Sequence, residues 1–66
     1  MNRIENHDDV EIGTRFEKRN TGECYEVLRR YELQDSWECL LLKEDETEDE
    51  EKETLHWHDI RYSTIL

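Results

Sequence analysis

The stretch from Trp37 to Trp57 constrains the fold more than any other part of the chain. It reads Trp-Glu-Cys-Leu-Leu-Leu, then an acidic run, then Glu-Thr-Leu-His-Trp. Seven of the ten residues from Lys43 to Lys52 are acids: Glu44, Asp45, Glu46, Glu48, Asp49, Glu50 and Glu51. Such a block repels itself and belongs in water, so its two apolar arms must turn back on each other. They predict a β-hairpin with an acidic loop over 43–52. A helix over the loop is the competing reading, but it has no apolar stripe with which to dock.

Register follows from period two. Pairing Leu41 with Leu55 and Cys39 with Trp57 puts Trp37, Cys39, Leu41, Leu55 and Trp57 on one face. The other face receives Glu38, Leu40, Leu42, Thr54, His56 and His58. A slip by one residue would bury both histidines. Leu40 and Leu42 are then apolar side chains on the wet face, covered by the N-terminal segment or forming a contact surface.

Outward from the hairpin, the chain reads as short strands. Thr14-Arg15-Phe16-Glu17-Lys18 alternates, and Gly22 supplies the positive φ of a tight turn. Cys24 to Tyr31 is rich in β-formers, with Tyr25 and Val27 on one face. Arg29 falls on that same face while Leu28 takes the opposite one, which predicts a bulge or bend near 28–30. Leu33-Gln34-Asp35-Ser36 reads as a turn. Residues 58–63 lack alternation and predict one 3₁₀ turn with Ile60 turned into the core, and Thr64-Ile65-Leu66 a short last strand. Val10 and Ile12 suggest an edge strand or lead-in broken by Gly13. Residues 1–9 are polar and read as a frayed or loosely docked arm.

Sixty-six residues permit one domain with one small core, here residues 10–66. Charged residues make up 42% and apolar residues 33%, close to where chains stop folding. Against disorder stand two Trp, three Tyr and one Phe in alternating runs and no proline. Nineteen acids against nine bases give a net charge of −10. That surface repels nucleic acid and anionic membrane, so neither is an expected direct partner. The balance, with three lysines to six arginines, resembles proteins of salt-adapted (haloarchaeal) cells. An acidic mesophile protein and an imitator of nucleic-acid charge are the other readings of the same numbers. No apolar run is long enough to span a bilayer, and Met1 to His7 has no signal core. Cys24 and Cys39 lack a Cys-x-x-Cys spacing, so reduced thiols and a cytoplasmic location are expected.

The strand order, with Phe16, Gly22, Tyr25 and Val27 in the first hairpin, Trp37, Leu41, Leu55 and Trp57 in the second, and the Asp59-Ile60 turn before the last strand, resembles Src-homology-3-like (Tudor-like) small barrels over residues 10–66. The resemblance implies an all-β, five-stranded antiparallel barrel with one 3₁₀ turn before the last strand. It also implies ligands that meet aromatics at one end, as proline-rich peptides and methylated lysines do. Tyr25, Tyr31, Trp37, Trp57 and Tyr62 are the only aromatics on offer for that. Tyr31 and Trp37 flank one turn, with Tyr62 near it. Such barrels host many functions, so the resemblance supplies none by itself.

Chemical motifs are few. His56 and His58, about 7 Å apart along a strand, with Glu38 opposite, form a weak metal constellation without a fourth ligand. Cys24 beside Cys39 would be a redox pair, although small buried thiols are commoner. No phosphate loop, nucleophile–base spacing or metal motif is present, so neither catalysis nor a cofactor is expected. The sequence therefore predicts a non-enzymatic protein-interaction module of a salt-adapted cell. It would contact a protein partner through Leu40, Leu42, Tyr31, Trp37 and Tyr62, or through a sheet edge. Exposed apolar residues on so small a domain also allow a homodimer. The alternative is an acidic nucleic-acid mimic that inhibits a basic DNA- or RNA-binding protein through residues 44–51.

Overall fold

The computed structural model describes residues 2–43 and 50–66; the predicted acidic loop thus lies largely outside the described residues. Five strands form one antiparallel sheet: β1 (Arg15–Glu17), β2 (Cys24–Tyr31), β3 (Ser36–Leu42), β4 (Lys52–His56) and β5 (Thr64–Ile65). Their order across the sheet is β4-β3-β2-β1-β5. The all-β class and strand count are those expected from the alternating runs. Two short 3₁₀ turns cover His7–Asp9 and Glu32–Gln34.

The sheet is open, which corrects the expected closed barrel. β4 and β5 stand at opposite edges. β5 is only two residues long, and the N-terminal segment already occupies its far side. Arg3 bridges Thr64, and the Ile65 amide donates to the Asn2 carbonyl at 2.8 Å.

That segment is the second correction. Residues 2–9, expected to be loosely docked, are part of the packed structure. Ile4 is completely buried. Its amide donates to the Ser63 carbonyl at 2.8 Å, and the Tyr62 amide donates to the Ile4 carbonyl at 2.7 Å. A core this small has few apolar residues to draw on, and one well-placed isoleucine supplies a large share of it. The other core members are Val10, Phe16, Tyr25, Val27, Trp37, Cys39, Leu55 and Ile60.

Parity explains the bulge. The β2–β3 register runs Val27↔Cys39 and then Arg29↔Glu38, so Leu28 is the extra residue. Beyond it Arg30 pairs with Trp37, on the core side of the sheet. The lead-in around Val10 forms no strand. Instead Gly13 (φ +92°) turns the chain, its amide donating to Val27 and Val27 donating back to Thr14, both at 2.8 Å. Ile12 is left exposed.

The second hairpin forms in a register four residues from the expected one. Trp37, not Leu41, pairs with Leu55, and Cys39 pairs with Glu53, not Trp57. An even shift keeps every side chain on its predicted face, so Trp37, Cys39 and Leu55 are still buried. Trp57 leaves the sheet and opens a single α-helical turn, α1 (Trp57–Ile60), in place of the expected 3₁₀ turn. The cause is local: Asp59 Oδ2 accepts the His56 amide at 3.2 Å, which caps a helix at the residue where the strand stops. Ile60 is fully buried, as predicted. No helix among the described residues is long and apolar enough to cross a membrane.

Candidate interaction surface

The outer face of the sheet is built by cross-strand rows. Arg15, Glu26, Leu40 and Lys52 occupy one row, Glu17, Cys24 and Leu42 a second, and Arg29, Glu38 and Thr54 a third. Leu40 and Leu42, the predicted contact residues, are both half-buried on this face. Arg15 Nε donates to Glu26 Oε1 at 2.8 Å beside Leu40. The Tyr31 hydroxyl donates to Glu38 Oε2 at 2.5 Å, with Arg29 at 5.8 Å from the Tyr31 ring. That bond to Glu38, more than partial desolvation, raises the Tyr31 pKa. The surface is a set of apolar side chains framed by matched charges.

The core side carries a polar pair that alternation alone does not predict. Glu53 lies opposite Cys39 and accepts the hydroxyl proton of buried Tyr25 at 2.6 Å. Desolvation first, and this bond second, push the Tyr25 pKa up. Burial likewise pushes the Cys39 thiol up to about 12, with Glu53 and Glu38 adding to it. Cys24 and Cys39 are both free thiols. Cys24 pairs with Leu42 and Cys39 with Val27, so the two are not cross-strand neighbours.

The aromatic end differs from the predicted one. Trp37 is buried to 1% exposure and so is not a contact residue. Arg30 lies 4.0 Å above its ring, and His7 stacks on Trp57 at 4.1 Å and approaches Trp37 at 5.7 Å. Asp35 ties these layers together. Its Oδ1 meets His7 Nε2 at 2.8 Å and Arg30 Nη2 at 3.2 Å, and its carbonyl accepts the Trp57 amide at 3.2 Å. Desolvation works against ionisation of Asp35, but the bonds from Arg30 and His7 outweigh it and hold its carboxyl below the ordinary range. Asp35 adopts the left-handed conformation (φ +48°), which a short polar side chain tolerates. His7 had no signal in the sequence, since an isolated histidine in a polar segment has no period to betray its packing.

Tyr62 does not join this cluster. It is half-buried at φ +67° and flanked by Arg61 at 4.5 Å and Arg19 at 5.9 Å. No aromatic ring pairs with Tyr31 or Tyr62 among the described residues, and the residues expected near one turn do not converge. The metal constellation also comes apart. The His56 and His58 rings stack with centroids 5.9 Å apart, but His58 sits on α1 and Glu38 pairs with Thr54, not with His58. No group of three ligating side chains occurs among the described residues.

Of the acidic run, Glu50 and Glu51 are described and exposed, and Glu51 meets Lys43 Nζ at 2.8 Å. Glu44, Asp45, Glu46, Glu48 and Asp49 lie outside the described residues. A polar cleft of about 470 Å³ lies between the N-terminal segment and β5, lined by Arg3, Glu5, Asn6 and Asp9. Asp9 Oδ2 already accepts the amides of Glu5 and Asn6, each at 3.0 Å, and these bonds lower its pKa. No family model, no curated protein and no solved structure matches this chain.

Proposed function

We propose that this chain is a small, non-enzymatic protein-interaction module, with a Src-homology-3-like arrangement of strands and an acidic surface suited to a salt-adapted cytoplasm. The observation that carries the reading is the outer sheet face. Leu40 and Leu42 stand there half-buried on neighbouring rows, between the Arg15–Glu26 pair and Lys52. Apolar side chains ringed by charge are the usual anatomy of a contact patch. The alternative, a nucleic-acid mimic acting through residues 44–51, rests on composition and charge steering alone.

The test is capture of partners from a native lysate on immobilised protein in three forms: wild type, Leu40→Ser with Leu42→Ser, and a form whose loop acids 44–49 are replaced by their amides. The module reading predicts a partner retained by wild type and by the loop variant and lost with the double serine variant. Loss with the loop variant alone supports the mimic, and no specific capture at any salt concentration overturns the module reading. Salt supplies an independent check on the adaptation. A charge of −10 opposes compaction, and about 1 M salt shortens the Debye length to about 3 Å. The unfolding temperature should therefore rise steadily with potassium chloride; a flat response removes that part of the proposal.

A further inference from the structure

The two edges of the sheet are treated differently. At β5 the N-terminal segment supplies partners, through the Arg3–Thr64 bridge and the bonds of Asn2 and Ile4. At β4 no strand pairs with the outer side among the described residues. Antiparallel pairing alternates between residues whose N–H and C=O point to the neighbour and residues whose groups point away. The Leu41 amide donates to the Glu51 carbonyl at 2.8 Å and the Trp57 amide to the Asp35 carbonyl at 3.2 Å. Glu51, Glu53, Leu55 and Trp57 therefore face β3, and Lys52, Thr54 and His56 face outward. Asp59 takes the His56 amide. Among the described residues no other strand pairs with the outward backbone groups of Lys52 and Thr54, both exposed residues.

Charge decides what such an edge accepts. Glu50, Glu51 and Glu53 are exposed beside it, and Lys43 already matches Glu51. A second copy of the chain would bring another net charge of −10 to the same place, so self-pairing is disfavoured. An added strand would set its residues facing Glu53 on the core side of the sheet, and those facing Lys52 and Thr54 on the outer side, continuing the row of Leu40. We propose that the outer edge of β4 takes an extended segment of a partner protein in which basic residues alternate with apolar ones, added as a sixth strand at Lys52 and Thr54. The basic positions meet Glu53 and Glu51, which share one face of the strand. The apolar positions extend the Leu40 row. Main-chain bonds supply affinity and the alternation supplies specificity, as in strand addition generally. Lys52 and the capped end at His56 keep the edge short, which limits indiscriminate pairing.

This inference rests on the module reading and names its partner. Its test uses the whole purified protein and a short synthetic peptide alternating valine and lysine, followed by amide NMR. Shifts should centre on Lys52 and Thr54, and affinity should fall about tenfold or more between low and near-molar salt. The same peptide with glutamate for lysine should not bind. Thr54→Pro removes an outward donor and no bond to β3, so it should abolish binding with the unfolding midpoint kept. If that variant fails to fold, peptide N-methylated at the residues facing Lys52 and Thr54 makes the same test on wild type and should not bind. Shifts confined to Leu40 and Leu42, or undiminished binding of the N-methylated peptide, overturn the edge inference and leave the module reading standing. Failure of wild type to capture any partner strikes the module reading instead.

Discussion

Ile4→Ala separates a structural N-terminal segment from a decorative one. The Ile4 side chain is fully buried against the core, and its backbone is bonded on both sides to Tyr62 and Ser63. The substitution removes three carbons, a loss of about 2–3 kcal/mol at roughly 0.8 per buried methylene. A cavity that cannot collapse adds to this, and Ile→Ala in well-packed cores costs about 2–5 kcal/mol in all. A domain of 66 residues has roughly 3–10 kcal/mol of total stability to lose. The variant should therefore sit near the edge of folding. Urea unfolding followed by tryptophan fluorescence reads the effect, since Trp37 and Trp57 belong to or pack against the same core. With a slope of about 1 kcal/mol per molar urea, the midpoint should fall by roughly 2 M or more. A change below about 0.5 kcal/mol, the ordinary result for a surface site, would refute the docking of this segment.

Further outcomes follow from the same geometry. The Cys39 thiol, at about 12 when folded, should resist alkylation at mildly alkaline pH while half-buried Cys24 reacts, and both should react once the chain unfolds; equal rates in the folded protein would contradict the packing. Because the Cys39 and Tyr25 pKa values are raised on folding, their neutral forms favour the native state at neutral pH. That contribution is present below the unfolded thiol value near 9 and should fade as pH rises from there toward 12. Cys39→Val should flatten the thiol part of the slope in a pH series of unfolding midpoints, and an unchanged slope would refute the assignment. Gly22 adopts φ +71° with nothing near a built Cβ, so Gly22→Ala should cost about 1 kcal/mol through backbone conformation alone, measured by thermal unfolding; no loss would mean that the turn relaxes freely.

Legibility in the sequence followed the local periodicity. The faces of β2 and β3 were readable because Tyr25, Val27, Trp37 and Cys39 alternate, and the bulge at Leu28 was readable because Arg29 breaks that alternation. Register was not: period two tolerates any even shift, and the apolar Trp57 looked like a strand residue opposite Cys39. What moved it was the Asp59 cap on the His56 amide, a helix signal two residues past a presumed strand end. The outward face survived the error, so Leu40 and Leu42 stand on the face expected of them, whereas Trp37, expected at the surface, lies under Arg30 and His7. Ile4 and His7 were invisible for the opposite reason. Each stands alone among polar neighbours, and nothing periodic marks it as packed. Closure of the sheet was misjudged because it depends on a two-residue β5 and on Asn2 and Arg3 taking its outer side.

Amide hydrogen exchange across β4 tests the binding claim most directly. In the free protein the Glu53 and Leu55 amides, which face β3, should exchange slowly, and those of Lys52 and Thr54 rapidly. With the valine–lysine peptide present, Lys52 and Thr54 should become protected while Glu53 and Leu55 change little. Protection that never reaches Lys52 and Thr54, at peptide concentrations where binding is saturated, would contradict strand addition at this edge.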